Sequence, residues 1–375
     1  MYQNARRDIL RALTRLPNRQ SLTTDYILGQ GTLQGDADFI SPHEDEQKIS
    51  CIMGALDSVI DRCEDTVRYT SRTLLCWLLS SRLQSPREIP FGLVAERNSE
   101  LRYRQIEKKF LAFTFRTYRM PSYARQEMAD IRLNSTLSAR LEQIWNHRVW
   151  DLFDTSKGLW PRMESQSCYE GMHGDRQDEE GDSGDDDDDD VEDWELEDDE
   201  DDYDDDPGYD SDLLGTNKEP HSEPLIRAEG KSVKPAFDEF LELLFHLCLT
   251  LCTETFIDGQ PGSTLLVYFS GVLGFSGDCR KFLLARQYCP QLSGIIYIQR
   301  ILLLERALPL CPYPIIGIPQ RPRTEQLETL NKIREKYMVL GSQSPVAELV
   351  SLRDFGRNAA RTEPPSTLFH WSSDG

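Results

Sequence analysis

The sequence predicts a mainly α-helical protein, with two helical blocks separated by a long, disordered acidic linker. Apolar residues recur at steps of three and four both in residues 1–163 and in residues 233–356, the periodicity of helices with one buried face. Between them, residues 178–212 hold 24 acids and no Lys or Arg, six of them consecutive at 185–190. Repulsion at that density, with little apolar surface to bury, keeps a segment extended and solvated. The formal charge of −22 is therefore local, because outside the run 40 acids face 42 basic residues. A chain of 375 residues suits two units of about 150 residues, each able to bury its own core.

In the first block, residues 4–16 form a basic amphipathic helix ended by Pro17. Gly29, Gly31 and Gly35 follow in a G-x-G-x-x-x-G spacing. That is one residue too long for a dinucleotide loop and has no helix start behind it, so the stretch reads as a loop. Over 46–83 the apolar set Ile49, Ile52, Met53, Leu56, Val59, Ile60, Cys63, Val67, Leu74, Leu75 and Leu78 lies largely on one helical face. The polar run at 69–72 predicts a break there, and Pro86 and Pro90 end the element.

A basic stretch spans 97–125, where Arg97, Arg102, Arg104, Lys108, Lys109, Arg116, Arg119 and Arg125 face only Glu100 and Glu107. Phe110, Phe113, Phe115, Tyr118 and Tyr123 are interleaved with them. Two readings compete: a cationic surface for nucleic-acid phosphates, or a helix with an aromatic core face and a solvated basic face. Residues 135–153 give the last helix of this block, with Leu137, Leu141, Ile144, Trp145 and Val149 at helical spacing.

The linker, 164–232, carries two incomplete motifs. His173 and Arg176 match an H-x-x-R fragment of tyrosine recombinases but sit where no geometry is expected to be held. Gly230, Lys231 and Ser232 look like the tail of a P-loop, yet its first glycine is replaced by Leu225 and Pro235 interrupts the following helix. Trp194, Tyr203 and Tyr209 embedded in the acidic run suit either a solvating spacer or a grip on basic proteins such as histone tails.

In the second block Pro235 opens a helix over 237–256, on which Cys248 and Cys252 read as small buried thiols rather than zinc ligands. A turn at Asp258 and Gly259, an apolar run from Leu265 and a basic step at Arg280 and Lys281 follow, with Arg286 beyond. Residues 292–308 are apolar almost all round, the mark of a central buried helix. Five prolines between 309 and 322 make an extended connector that exposes Arg321 and Arg323. A helix over 324–340 is closed by Gly341, and Ser344 with Pro345 starts one that Gly356 ends. Residues 357–375 form a polar tail in which the chain reads as truncated.

The phrases FIDGQPGSTLLVYFSGVLGF, LSGIIYIQRILLLERALP, REKYMVLGSQSP and SLRDFGRNAARTEPPS resemble a region of large fungal proteins, a family resembling the orsellinic-acid gene cluster protein D. The resemblance covers 235–375, and 45–160 through the long helix and the basic aromatic stretch. It implies a place in architectures that also carry a C2H2 zinc finger and, in some members, a telomere-linked RecQ-like helicase. Neither the finger spacing nor a complete Walker motif is present, and the family offers no catalytic residues to carry over.

The expected function is non-enzymatic binding of DNA or a chromatin partner, in the nucleus or cytoplasm. The candidate contacts are Arg102, Arg104, Lys108, Lys109, Arg116, Arg119, Arg280, Lys281, Arg286, Arg321 and Arg323. The alternatives are a scaffold whose residues 178–212 bind basic proteins, and a remnant of a mobile-element or helicase-derived enzyme. No cofactor, no metal and no membrane span are expected. The most apolar segment, 240–257, is too short and too interrupted by charge to cross a bilayer. Nine scattered Cys and no secretory leader fit reduced thiols.

Overall fold

A computed structural model describes residues 10–19, 22–23, 26–27, 40–121, 125, 131–152, 230–254, 256–257, 260–261, 265–276, 281–361 and 367. The acidic run, the pair His173 and Arg176, and Arg280 lie outside them. The class is mainly α. Two antiparallel strand pairs of two residues each, β1 (Tyr26–Ile27) with β2 (Ile40–Ser41) and β3 (Phe256–Ile257) with β4 (Gln260–Pro261), are the only named strands among the described residues.

Helix α1 (His43–Arg68) starts with Glu44, Asp45 and Glu46 in its first turn, where acids complement the helix dipole, and ends on Arg68. The predicted break falls at Tyr69–Ser71, in the polar run. Ser71 then caps α2 (Arg72–Leu79), its side chain accepting from the Leu74 amide. The basic stretch is α3 (Arg97–Arg119), and α4 (Ser135–Trp145) is capped by Asn134 in the same way. A short 3-10 turn, Arg148–Asp151, replaces the end of the longer helix expected there.

In the second stretch α5 (Gly230–Cys252) begins well before the predicted start and carries Pro235 within it. Gly230, Lys231 and Ser232 are thus the first turn of a helix rather than the end of the linker. Next come α6 (Leu265–Leu273), α7 (Ala285–Ala307), α8 (Gln326–Tyr337) and α9 (Pro345–Ala360). Ser344 caps α9 with Pro345 behind it, as its sequence predicts. Gly356 does not end this helix; it is buried inside it. Gly341 has a φ of 87°, which suits a residue without a Cβ just past α8.

The expectation of a separate core for each block is corrected. The described residues of the two stretches, 10–152 and 230–367, form one compact unit, and buried side chains from both belong to one apolar cluster. Helix α7 is its axis. It packs against α1 and α3 from the first stretch and against α5, α6, α8 and α9 from the second. Ile296, Ile298, Ile301, Leu303 and Leu304 on different sides of α7 are all at 1 % exposure or less, because a helix surrounded by others has no solvent face to keep polar. At Gly294 a Cβ would stand 2.7 Å from Ile106 Cδ1 and 2.8 Å from Tyr103 Cδ1, so glycine lets α7 and α3 approach closely.

Polar bonds cross the same seam. Glu305 of α7, buried, accepts from Tyr313 Oη at 2.6 Å and from Thr66 Oγ1 of α1. Burial holds its carboxyl above the usual carboxylate range. Fully buried Arg334 of α8 donates to the Arg82 carbonyl at 2.7 Å and the Ser80 carbonyl at 3.1 Å, with its guanidinium over the Trp77 ring. These carbonyls spread its charge without a carboxylate.

Candidate functional site

The basic stretch is turned inward. Along α3 the cations meet acids of α1 in antiparallel order. Arg104 reaches Asp61 at 2.7 Å, Glu64 at 2.8 Å and its own helix's Glu100 at 3.0 Å, and Lys108 reaches Asp57 at 2.8 Å. Further along, Arg116 meets Glu46 at 2.7 Å and Arg119 meets Asp45 at 2.9 Å. The interleaved aromatics serve the core: Phe110 and Phe113 pack on Phe269, and Phe115 on Trp145. The reading of α3 as an aromatic core helix is therefore the one its geometry supports.

Arg116 corrects the sequence expectation outright. A phosphate contact needs charge at the surface, but this side chain and that of Glu46 are both at 0 % exposure. Two of its nitrogens bond the Glu46 carboxylate, at 2.8 and 2.7 Å, and a third donates to the carbonyls of Leu13 and Arg15. Ser41 Oγ adds a 2.7 Å bond to the same carboxylate. Arg116 is a buried clamp joining α3, α1 and the chain before α1.

The other candidates divide. Arg104 and Lys108 are largely covered and paired, and Arg119 is paired though more open. Arg102 is part-buried and donates to Ser99, Lys109 is part-buried, and Arg321 donates to the Tyr69 carbonyl at 2.8 Å. Lys281, Arg286 and Arg323 are exposed and make no ion pair with the described residues.

Sequence reasoning did not single out a second basic group. Arg300 of α7, part-exposed, feels the positive charge of Arg353 and Arg357, which lie one turn apart on α9, and of Arg87 in the chain after α2. Asp354 acts on it in the opposite sense, and it is paired with Arg353, 2.8 Å away. Among the described residues Arg300 itself has no hydrogen bond and no ion pair, and its Nε is sealed from solvent. Burial, with Arg353 next in weight, pushes its guanidinium down to about 10, so it is still charged at neutral pH. Part of the signal is visible in the sequence, since Arg353 and Arg357 stand four apart on a helix, but nothing in spacing alone brings Arg300 and Arg87 to them.

Six described cysteines are free and buried, Cys248 and Cys252 among them, and burial raises both thiols. Cys311 departs from the expected reduced set, since it is disulfide-bonded. No group of three or more potential metal ligands forms among the described residues, and no described helix is long and apolar enough to cross a membrane. Beside Cys248 and Cys252 lies Glu107 of α3, 4 % exposed, its carboxyl pushed up to about 7 by burial.

That carboxyl yields a pH prediction. The folded protein keeps the Glu107 proton where the unfolded chain, near 4.5, has lost it. Stability therefore falls as pH rises from about 4.5 to about 7 and is flat above. Glu107→Gln should be nearly neutral at pH 5 and should stabilise at pH 8 by roughly 3 kcal/mol at most. Urea unfolding at both pH values checks it, and equal effects at the two would contradict it.

No protein-family model, curated protein or solved structure matches this chain.

Proposed function

We propose that this chain is a non-enzymatic binding protein for nucleic acid, and that the contacts come from Lys281, Arg286 and Arg323 rather than from α3. The observation that carries this reading is the contrast in pairing. The α3 cations Arg104, Lys108, Arg116 and Arg119 each meet an acid of α1, whereas these three are exposed and without an ion pair to any described residue. Unpaired surface cations are the ones that release counterions when they meet phosphates. The tethered run of 24 acids competes for the same residues at high effective concentration, which makes it autoinhibitory.

The test is binding of the purified chain to duplex DNA across a salt series. Affinity should fall steeply with salt. Charge reversal at Arg286 and Arg323 should weaken binding to all sequences alike and flatten the salt slope, while Lys108→Gln should leave both unchanged. Deleting residues 178–212 should tighten binding, less so at high salt. No affinity at low salt would overturn the reading. Capture of basic proteins that requires residues 178–212 would replace it with a scaffold that grips histone-like partners.

A further inference from the structure

We propose that residues 319–323 are a docking strip for a partner protein, one whose module holds proline helices in an aromatic groove with acids along its rim. The sequence there is P-Q-R-P-R, with Pro319 and Pro322 three positions apart. A polyproline helix has three residues per turn, so prolines at that spacing share one edge, the arrangement that such grooves take up. The same spacing stands once more in this connector, at Pro309 and Pro312, but Pro309 is buried. Only at 319 and 322 are both prolines exposed. The proposal goes beyond the nucleic-acid reading and does not rest on it.

The backbone is already set for this use. Proline fixes φ at about −65° at both positions, and it pushes the residues before them, Ile318 and Arg321, towards extended backbone. Residues 319–322 belong to no helix or strand, and none has a positive φ. Both ends of the strip are held. Tyr313 and Ile318 close a turn that contains Gly317, with a φ of 69°, through backbone bonds of 2.8 and 3.0 Å. At the other end Glu325, with a φ of 61°, leads into α8. Arg321 ties the strip to the protein: its amide donates to the Pro309 carbonyl at 2.9 Å and its side chain to the Tyr69 carbonyl at 2.8 Å. With Arg321 facing inward, three residues per turn leave the edge bearing Pro319 and Pro322, and Arg323 beside it, towards solvent. Arg323 has no ion pair with the described residues. A strip ordered in advance loses little conformational entropy on binding, and the exposed arginine suits acids on the partner's rim.

The test is calorimetric binding of the full chain to a panel of purified SH3 domains, which carry grooves of this kind. At least one should bind the folded chain. Replacing both Pro319 and Pro322 by Ala should weaken that binding by about tenfold or more, since a few anchors carry most of an interface's energy. Arg323→Glu should weaken it too, and more at low salt than at high salt, because charge pairing at a rim is screened. Pro312→Ala, which alters an exposed proline outside the strip, should leave it unchanged. Thermal melting of each variant checks that the fold is kept. Arg323→Glu, altering an exposed residue, keeps the assay readable if the double variant folds poorly.

Duplex DNA separates the strip from the nucleic-acid contacts, because the double proline variant should bind duplex as the wild-type chain does. Failure of either kind of binding therefore leaves the other reading untouched. The proposal is overturned if no SH3 domain binds, or if binding appears only once the chain is unfolded. It is equally overturned by binding that survives in the double proline variant, is indifferent to Arg323→Glu, or falls as far in Pro312→Ala.

Discussion

Arg116→Met should cost about 3–5 kcal/mol of stability, because it strands the Glu46 carboxylate in the interior with Ser41 as its remaining side-chain donor. The loss belongs to the uncompensated charge more than to the pair. Replacing Glu46 by Leu at the same time should recover most of it, since an apolar pair of similar bulk avoids desolvating either ion. Urea unfolding of the two single variants and the double variant forms the cycle that isolates the coupling. Additive losses would show that the clamp is not a unit. The same variants separate structure from recognition. A phosphate-contacting Arg116 would lose nucleic-acid affinity with little change in stability, whereas the buried clamp predicts the reverse.

That contrast also shows how far the sequence carries. Periodicity located α1, the break at residues 69–71 and the buried character of α7, because each depends on which residues leave water. Ser344 and Pro345 announced α9 through local capping chemistry alone. Local signals overreached at Gly356, where packing against the core outweighs the cost of a glycine within a helix.

The candidate site was less legible, for a physical reason. Whether a cation is free or spent depends on what a distant segment brings to it. Asp45, Glu46, Asp57, Asp61 and Glu64 lie dozens of positions from the Arg and Lys they neutralise, and only the antiparallel packing of α1 on α3 brings them into register. The pattern along 97–125 therefore looked like a cationic face. The arginines whose charge reaches Arg300 are the opposite case, drawn from three segments, none of them strongly basic by itself. A single core built from two stretches was hidden for the same cause. The acidic run separates the stretches in sequence, but composition says nothing about whether their apolar faces meet.

Leu303→Asp should have the largest effect of any single change considered. Leu303 is at 0 % exposure on the helix against which α1, α3, α5, α6, α8 and α9 all pack. An unpaired carboxylate placed there costs several kcal/mol, comparable with the whole stability of a domain, about 5–15 kcal/mol. The consequence should reach well beyond the second stretch. Because α1 and α3 pack on α7, they lose the surface that buries their apolar faces, and helices of this kind draw most of their stability from such packing. The decisive measurement is amide hydrogen exchange, read peptide by peptide, on the full chain with and without Leu303→Asp. A single shared core predicts that residues 43–68 and 97–119 lose protection together with residues 285–307. Retained protection in the first two, with loss confined to residues beyond 230, would mean that the blocks fold independently.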